Sequence, residues 1–355
     1  MTMNLDLFRQ MLEFESTSGT ERRFAEFIEK NIHADKNIRY EVGDGTLNLM
    51  FSWGEPKVVF CTHMDTVPPY IPPVFKDIKA GEILPDGVVL DKDDVLILGR
   101  GSCDAKGQIF SMLSACLKMA SEGKKGFALL LLSGEETGSF GAKAYTCDCS
   151  GGDWLIVGEP TDNMMVSASK GTKSFLVRIH GKACHSGYPE RGESAVNKFV
   201  DFFNDLRHID FPLDDILGPT TWNIGKLSSD NPQNILSPEL SFRLYFRTTP
   251  ASDSLVQELI MSMASEDIEI ESFGGDTPMR YMTLNGFGTK PVSFGSDTPR
   301  MTKFRNRALC GPGSIFTAHT SYEYVLLSQL EAAVKQYELM YDMIINRVCK
   351  LPNAQ

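Results

Sequence analysis

Apolar and polar positions along the chain fall into distinct regimes. Over the first 160 residues, short unbroken apolar runs alternate with helix-like stretches. KVVFCT (57–62), FALLLLS (127–133) and DWLIVGE (153–159) are too short for typical helices and carry no polar face, so each predicts a strand buried on both sides. Residues 20–31 place Phe24, Phe27 and Ile28 on one face of a predicted helix. A second helix is predicted from about Lys106 to about Glu122, stopped by Gly123. Strands separated by helices imply a mostly parallel sheet with helices on its faces.

The middle of the chain differs. SKGTKSFLVRIHGKA (169–183) and ELSFRLYFRTT (239–249) alternate apolar with polar residues, the signature of strands with one face on a core. Helical patterns at 193–207 and 253–265 lie between and after them, which predicts an open sheet with helices on one side. From 284 the first pattern returns and ends in a helix predicted from about Ser321 to about Val348, with SFGGDTP (272–278) as a linker. The expected fold class is therefore α/β with an inserted smaller α+β domain. Residues 1–169 and 276–355 form the large domain and 170–275 the inserted one.

Composition narrows the functions open to such a fold. At 355 residues the chain exceeds the size at which one core stops growing. A formal net charge of -11 argues against a nucleic-acid partner, which calls for a basic face. The opening MTMNLDLFRQ lacks the basic start and long apolar run of a secretory signal, and no stretch has the apolar length of a membrane span. The eight cysteines are scattered, with Cys147 and Cys149 the closest two, a weak metal signal. A cytoplasmic protein with reduced thiols and no membrane partner is expected.

Chemistry-bearing residues collect just past predicted strands and in sharp loops, where open parallel sheets bind ligands. His63 follows one buried strand, with Asp65 two residues on; Asp104 lies in the glycine-rich GRGSCDAKG loop that opens a helix. That loop lacks the spacing of a phosphate-binding motif. Glu135 and Glu136 follow the most apolar strand, Glu159 follows the next, and His319 precedes the final helix. Adjacent carboxylates repel each other, and a metal ion resolves that conflict for one of them. Imidazole and carboxylate donors suit zinc-like ions. Two metals joined by a bridging carboxylate need about one imidazole and one carboxylate each plus the bridge, a set that His63, Glu159, His319, Asp104 and one glutamate of the pair supply, which leaves the other glutamate free to deprotonate a water.

HMDTVP, GRGSCDAKG, SGEETGS, GEPT, GKACHSGYP, NILSP, YFR and GPGSIFTAHTSYEYV occur in that order along the chain. Together they resemble the signature blocks of the zinc-dependent acetylornithine deacetylase and succinyl-diaminopimelate desuccinylase family, which also holds carboxypeptidases and aminoacylases. The resemblance implies a zinc-peptidase-like catalytic domain and a ferredoxin-like insert that serves dimerisation and acts as a lid. It implies two zinc ions per subunit, with cobalt an acceptable substitute. His63 and Glu159 would hold one ion, Glu136 and His319 the other, and Asp104 would bridge them. Asp65 would orient His63, and Glu135 would be the general base. His185 would reach the partner's active site in a homodimer and help bind the oxyanion. Arg247 would bind the substrate carboxylate, with Asn234, Lys170 and the backbone at Gly313 and Ser314 as further candidates.

The implied reaction is removal of the acyl group from an N-acyl amino acid by hydrolysis of a linear amide. Acetylornithine, acetylcitrulline or acetyl-lysine in amino-acid (arginine or lysine) biosynthesis are the expected substrates. A desuccinylase, or a dipeptidase or carboxypeptidase with the same site, is the alternative reading. A non-catalytic binding protein on this fold is opposed by the presence of every ligand position and the base. Ser321 and Tyr322 depart from the family pattern, and SFGSDTPRM (293–301) only loosely resembles its substrate loop. Both departures bear on substrate choice and leave the metal set intact.

Overall fold

The computed structural model describes residues 3–43, 45–148 and 152–346. Cys149, the side chain of Cys147, and residues 347–348 of the predicted final helix lie outside the described set. The described chain separates into two compact units. The first comprises residues up to Ser167, Tyr281–Lys290 and those from Ser296 onward; the second comprises Ala168–Arg280 and Pro291–Gly295.

In the first unit the chain runs α1 (Leu5–Glu13), α2 (Arg22–Asn31), β1 (Lys36–Gly43), β2 (Thr46–Trp53), β3 (Val58–His63), β4 (Val74–Ile78) and β5 (Asp94–Leu98). It continues as α3 (Lys106–Ser121), β6 (Phe127–Leu132), α4 (Phe140–Asp148) and β7 (Trp154–Val157). The short strand β8 (Met165–Ser169) leads into the second unit, built from β9 (Gly171–His180), α5 (Ala195–Arg207), β10 (Thr221–Ser228), β11 (Glu239–Thr248), α6 (Asp253–Ser262), β12 (Ile268–Gly274) and β13 (Met279–Arg280). After β14 (Thr289–Val292) the chain closes with β15 (Asn306–Leu309), β16 (Tyr324–Leu326) and α7 (Leu327–Ile345).

The main sheet has the order β1-β2-β6-β3-β7-β15. Strands β6, β3, β7 and β15 are parallel, while β2 and β1 extend the edge antiparallel. Every residue of β6 is buried. Phe127, Leu129 and Leu131 join the main core with Phe60, Phe110 and Tyr337. The intervening Ala128, Leu130 and Leu132 point to the opposite face, so both faces of this strand are dry. Helix α3 buries Ile109, Phe110, Met112, Leu113, Ala115, Cys116 and Met119. An apolar surface on nearly every side means that it is packed all round. A small antiparallel sheet β16-β5-β4 lies beside this core.

The second unit is a four-stranded antiparallel sheet, β10-β11-β9-β12. Its βαββαβ order is the ferredoxin-like arrangement. Alternate residues Phe175, Val177 and Ile179 of β9 and Leu240, Phe242, Leu244 and Phe246 of β11 form one face. Ala195, Phe202 and Leu206 of α5 and Val256 and Ile260 of α6 pack against it.

Three local expectations change. The final helix begins at Leu327, not near Ser321, because Tyr324–Leu326 pairs as a strand with Leu96–Leu98. The first three residues of the predicted linker belong to β12, held by the pairing of Ser272 with Phe175. The hairpin β1–β2, absent from the sequence reading, covers the edge of β6. Among the described residues no helix is long and apolar enough to cross a membrane.

Candidate metal centre

The first unit's acids and imidazoles converge at the carboxyl ends of the parallel strands, where α/β sheets bind ligands. His63 is the last residue of β3, Glu135 and Glu136 follow β6, and Glu159 follows β7. Asp104 arrives from the loop before α3, where Ala105 rather than Asp104 occupies the N-cap position. His319 comes from the loop before β16, not from the start of a helix. It sits at φ +64°, a left-handed conformation that costs a non-glycine residue energy.

His63 Nε2 lies 3.0 Å from Asp104 Oδ1, and His319 Nε2 lies 3.3 Å from Asp104 Oδ2 and 2.8 Å from Glu136 Oε1. One carboxylate, Asp104, thus faces an imidazole with each of its oxygens. Two sets of potential ligand atoms, His63–Asp104–Glu159 and Asp104–Glu136–His319, each lie within 4.8 Å of one another and share Asp104. A third grouping of that kind is His63–Glu135–Glu136. Imidazole nitrogen with carboxylate oxygen is a donor set for zinc-like divalent cations. Glu159 Oε1 is buried and without a hydrogen-bond partner, which a bound cation would supply. The residues therefore fit a pair of divalent ions.

The protonation pattern fits the same reading. Burial alone would raise the Asp104 carboxyl, but hydrogen bonds from His319 and His63 hold it below its ordinary value. His319 is pushed up to about 10 by Asp104 and Glu136. Burial works against a charged His63, yet Asp104 and Asp65 hold its pKa well above the usual range. Burial pushes Glu135 and Glu159 well up, opposed by His63 and reinforced by neighbouring acids, Asp297 among them. Without a cation, this cleft must keep protons on groups that would otherwise repel one another.

Asp65 is fully buried and organises two neighbours. Its Oδ1 lies 3.3 Å from His63 Nδ1, and its main-chain oxygen lies 3.0 Å from the same nitrogen. A proton on Nδ1 would leave the Nε2 lone pair directed at Asp104. The same carboxylate accepts the N–H groups of Glu135 (3.0 Å) and Glu136 (3.1 Å) and the hydroxyl of Ser18 (2.7 Å). It therefore sets the main chain of the glutamate pair as well as the imidazole.

The other predicted residues lie elsewhere. Gly313, at φ +79°, abuts Cys103: a Cβ there would come 2.5 Å from its Sγ, and Cys103 precedes Asp104. Ser314 is bridged to Thr161. In the second unit, His185 and Asn234 are exposed and adjacent through main-chain bonds, Ser186 N donating to Asn234 O at 2.9 Å. Arg247 lies on β11 opposite Thr172, its guanidinium 5.2 Å from the Tyr245 ring. Lys170 is buried and donates to Pro219 O at 2.5 Å.

Four residues near the centre escape the sequence reading: the half-buried Ser18 and the buried Glu21, Asp297 and Glu323. Glu21 accepts the Gly134 N–H at 3.0 Å, and Glu323 accepts N–H groups of the Asp104 loop. A carboxylate that binds main-chain N–H groups has no motif of its own, because its partners are identical at every residue.

A family model described as a peptidase dimerisation domain matches residues 167–268. A peptidase M20 domain-containing protein of Schizosaccharomyces pombe is 30% identical, over 96% of this chain and 84% of its own length. A probable carboxypeptidase of Emericella nidulans is 28% identical, over 97% of this chain and 90% of its own. Among solved structures, a tripeptidase of Staphylococcus aureus superposes with a TM-score of 0.74 at 20% identity, covering 94% of this chain and 96% of that one. A dinuclear metal-binding M20 peptidase of Bacillus subtilis gives 0.67 at 13% identity, covering 96% and 97%. The ferredoxin-like insert, the shared-carboxylate cluster and the end-to-end relationship to the yeast protein agree: this chain belongs to the M20 peptidase family.

Proposed function

We propose that the protein is a two-metal hydrolase that cleaves the amide bond between an acyl group and the nitrogen of an amino acid with a free carboxylate. N-acetyl derivatives of ornithine, citrulline or lysine are its first-choice substrates. The observation that carries this reading is the pair of ligand sets sharing Asp104, with Glu135 beside them on a main chain fixed by Asp65. His63 and Glu159 would hold one ion, Glu136 and His319 the other, with Asp104 between them. Zinc is the proposed metal, and cobalt suits the same donors. Two divalent ions, when bound, supply Lewis acidity toward the scissile carbonyl and lower the pKa of a water.

Glu135 takes the proton from the attacking water on its carboxylate and returns it to the leaving amine nitrogen. Asp65 keeps both Glu135 and His63 in place through the bonds already described. Arg247 binds the substrate carboxylate, assisted by Lys170, Asn234 and the backbone at Gly313 and Ser314. His185 from the partner subunit of a homodimer donates to the developing oxyanion.

A second reading has specific support: the Emericella relative, matched over 90% of its length, is among several fungal relatives named probable carboxypeptidases. A carboxypeptidase also releases an amino acid with a free carboxylate and differs only in the size of the acyl side. One panel separates the two. Zinc- or cobalt-loaded protein is assayed on N-acetyl and N-succinyl ornithine, citrulline, lysine and diaminopimelate, and on blocked and free dipeptides. Faster turnover of the acetyl amino acids supports the deacylase. Preference for blocked dipeptides supports the carboxypeptidase, and loss of none of these amides sinks both.

A further inference from the structure

Glu323 has no role in the mechanism above, yet it is among the most heavily bonded side chains in the protein. It is 1% exposed and lies four residues after His319. Its Oε1 accepts three main-chain N–H groups, from Gly101 at 2.9 Å, Cys103 at 3.1 Å and Asp104 at 3.0 Å. Its Oε2 accepts from Arg100 Nη1 at 2.5 Å, and its main-chain oxygen accepts the Gly99 N–H at 3.0 Å. Arg100 is itself buried and donates through Nε to Pro69 O at 3.2 Å. The loop from Gly99 to Asp104 is thus wrapped around one carboxylate that belongs to the loop of His319.

This arrangement acts unequally on the two ligand sets. His63 and Glu159 stand at or just past the ends of β3 and β7, whose positions the main sheet fixes. Asp104 and His319 both come from loops, and Glu323 ties those loops together with four hydrogen bonds to the Asp104 loop, against two long sulfur contacts of Cys103 with Ser314 O (3.4 Å) and Thr317 Oγ1 (3.5 Å). A buried N–H that loses its acceptor is left desolvated and unpaired, so three N–H groups converging on one oxygen resist displacement strongly. We propose that Glu323 is a positioning residue that pre-forms the Asp104 bridge, and that the Asp104–Glu136–His319 metal site depends on it far more than the His63–Asp104–Glu159 site does. The proposal rests on the two-metal reading given above.

The test compares pairs of equal charge. In Arg100→Met/Glu323→Gln the buried ion pair is gone but an amide oxygen remains to accept the three N–H groups. In Arg100→Met/Glu323→Leu no acceptor remains, at nearly the same volume. Stepwise affinities for Zn2+ and Co2+ are measured by competition with a chromophoric chelator, with circular dichroism and thermal unfolding as the check on folding. The Leu pair is expected to bind its second metal at least about tenfold more weakly, with the first affinity nearly unchanged. The Gln pair should recover both affinities. Equal second-site affinity in the two pairs overturns the proposal, as does equal weakening of both sites. If the Leu pair does not fold, Glu323→Gln alone decides. The amide then meets Arg100 with an N–H in place of an oxygen, and selective weakening of the second metal is expected; unchanged stepwise affinities overturn the proposal. A wild-type protein that binds fewer than two metals would instead overturn the two-metal reading.

Discussion

Glu21 offers a quantitative test of how the loop bearing the proposed base is held. It sits at the N-cap of α2 and is fully buried. One oxygen accepts the Gly134 N–H at 3.0 Å, just before Glu135, while Oε2 is buried without a partner. Burial, with the nearby Asp65 charge, raises its pKa from an ordinary 4.5 to about 7, even though main-chain N–H groups favour the ionised form. A carboxyl with a raised folded-state pKa contributes stability that is fully present below about 4.5 and is lost as pH rises through about 7. The rise corresponds to about 3 kcal/mol, of which about 2 kcal/mol falls between pH 5.5 and pH 8. Glu21→Gln keeps an oxygen for Gly134 and cannot ionise. Its stability relative to wild type should therefore improve by about 2 kcal/mol over that interval. At about 2–4 °C per kcal/mol for a unit of this size, the Tm difference should move by about 4–8 °C in the variant's favour. Scanning calorimetry of both metal-loaded proteins across the range checks this, since effects common to both cancel in the difference. A Tm difference that does not change with pH would show that Glu21 ionises normally, and the account of a dry carboxyl behind the Glu135 loop would fail.

The remaining predictions concern the centre itself. Glu135→Gln should keep its metals and lose turnover by about 10²–10⁴-fold, and near-normal activity would remove Glu135 as the base. His319→Ala should lower the metal content measured by atomic absorption; two tightly held metals would contradict its place as a ligand. Because His319 is held protonated up to about 10 by Asp104 and Glu136, metal uptake at pH 7.5 must displace protons. Apparent affinity should therefore rise with pH toward 10, and titration heats should depend on the buffer's ionisation enthalpy; heats identical in phosphate and Tris would refute this. His185→Ala should reduce turnover strongly while the protein sediments as a dimer, and full activity of the variant would end the proposal that it acts across the interface.

How much of this was legible before the structure varies by the kind of signal. The runs at 57–62, 127–133 and 153–159 announced the parallel strands because a strand covered on both faces has no polar position to spare. The acids and His63 could be placed at the sheet's ligand-binding edge because they directly follow those runs. The alternation in 169–183 and 239–249 announced a one-sided sheet in the same way, while the ferredoxin-like order came only from the family resemblance, because β10 and β12 carry no alternation strong enough to be read as strands. The antiparallel hairpin β1–β2 was missed because its first strand is largely exposed and has no strong apolar run. The start of the last helix was misplaced because Tyr324–Leu326 is apolar in either reading and becomes a strand only by pairing with Leu96–Leu98.

The sequence by itself determined the layered α/β fold class, the insert, and the inventory of candidate metal ligands, all of which depend on local periodicity and residue type. Only the tertiary structure decided that Asp104 would stand between His63 and His319, since Asp104 and His319 lie 215 positions apart in the chain. It alone revealed that Asp65, Glu21 and Glu323 direct carboxyl oxygens at main-chain N–H groups. The physical reason is the same in each case. Periodicity is written in neighbouring side chains, whereas a carboxylate's partner is a main-chain N–H that every residue except proline carries, and only the folded path of the chain selects which of them it meets.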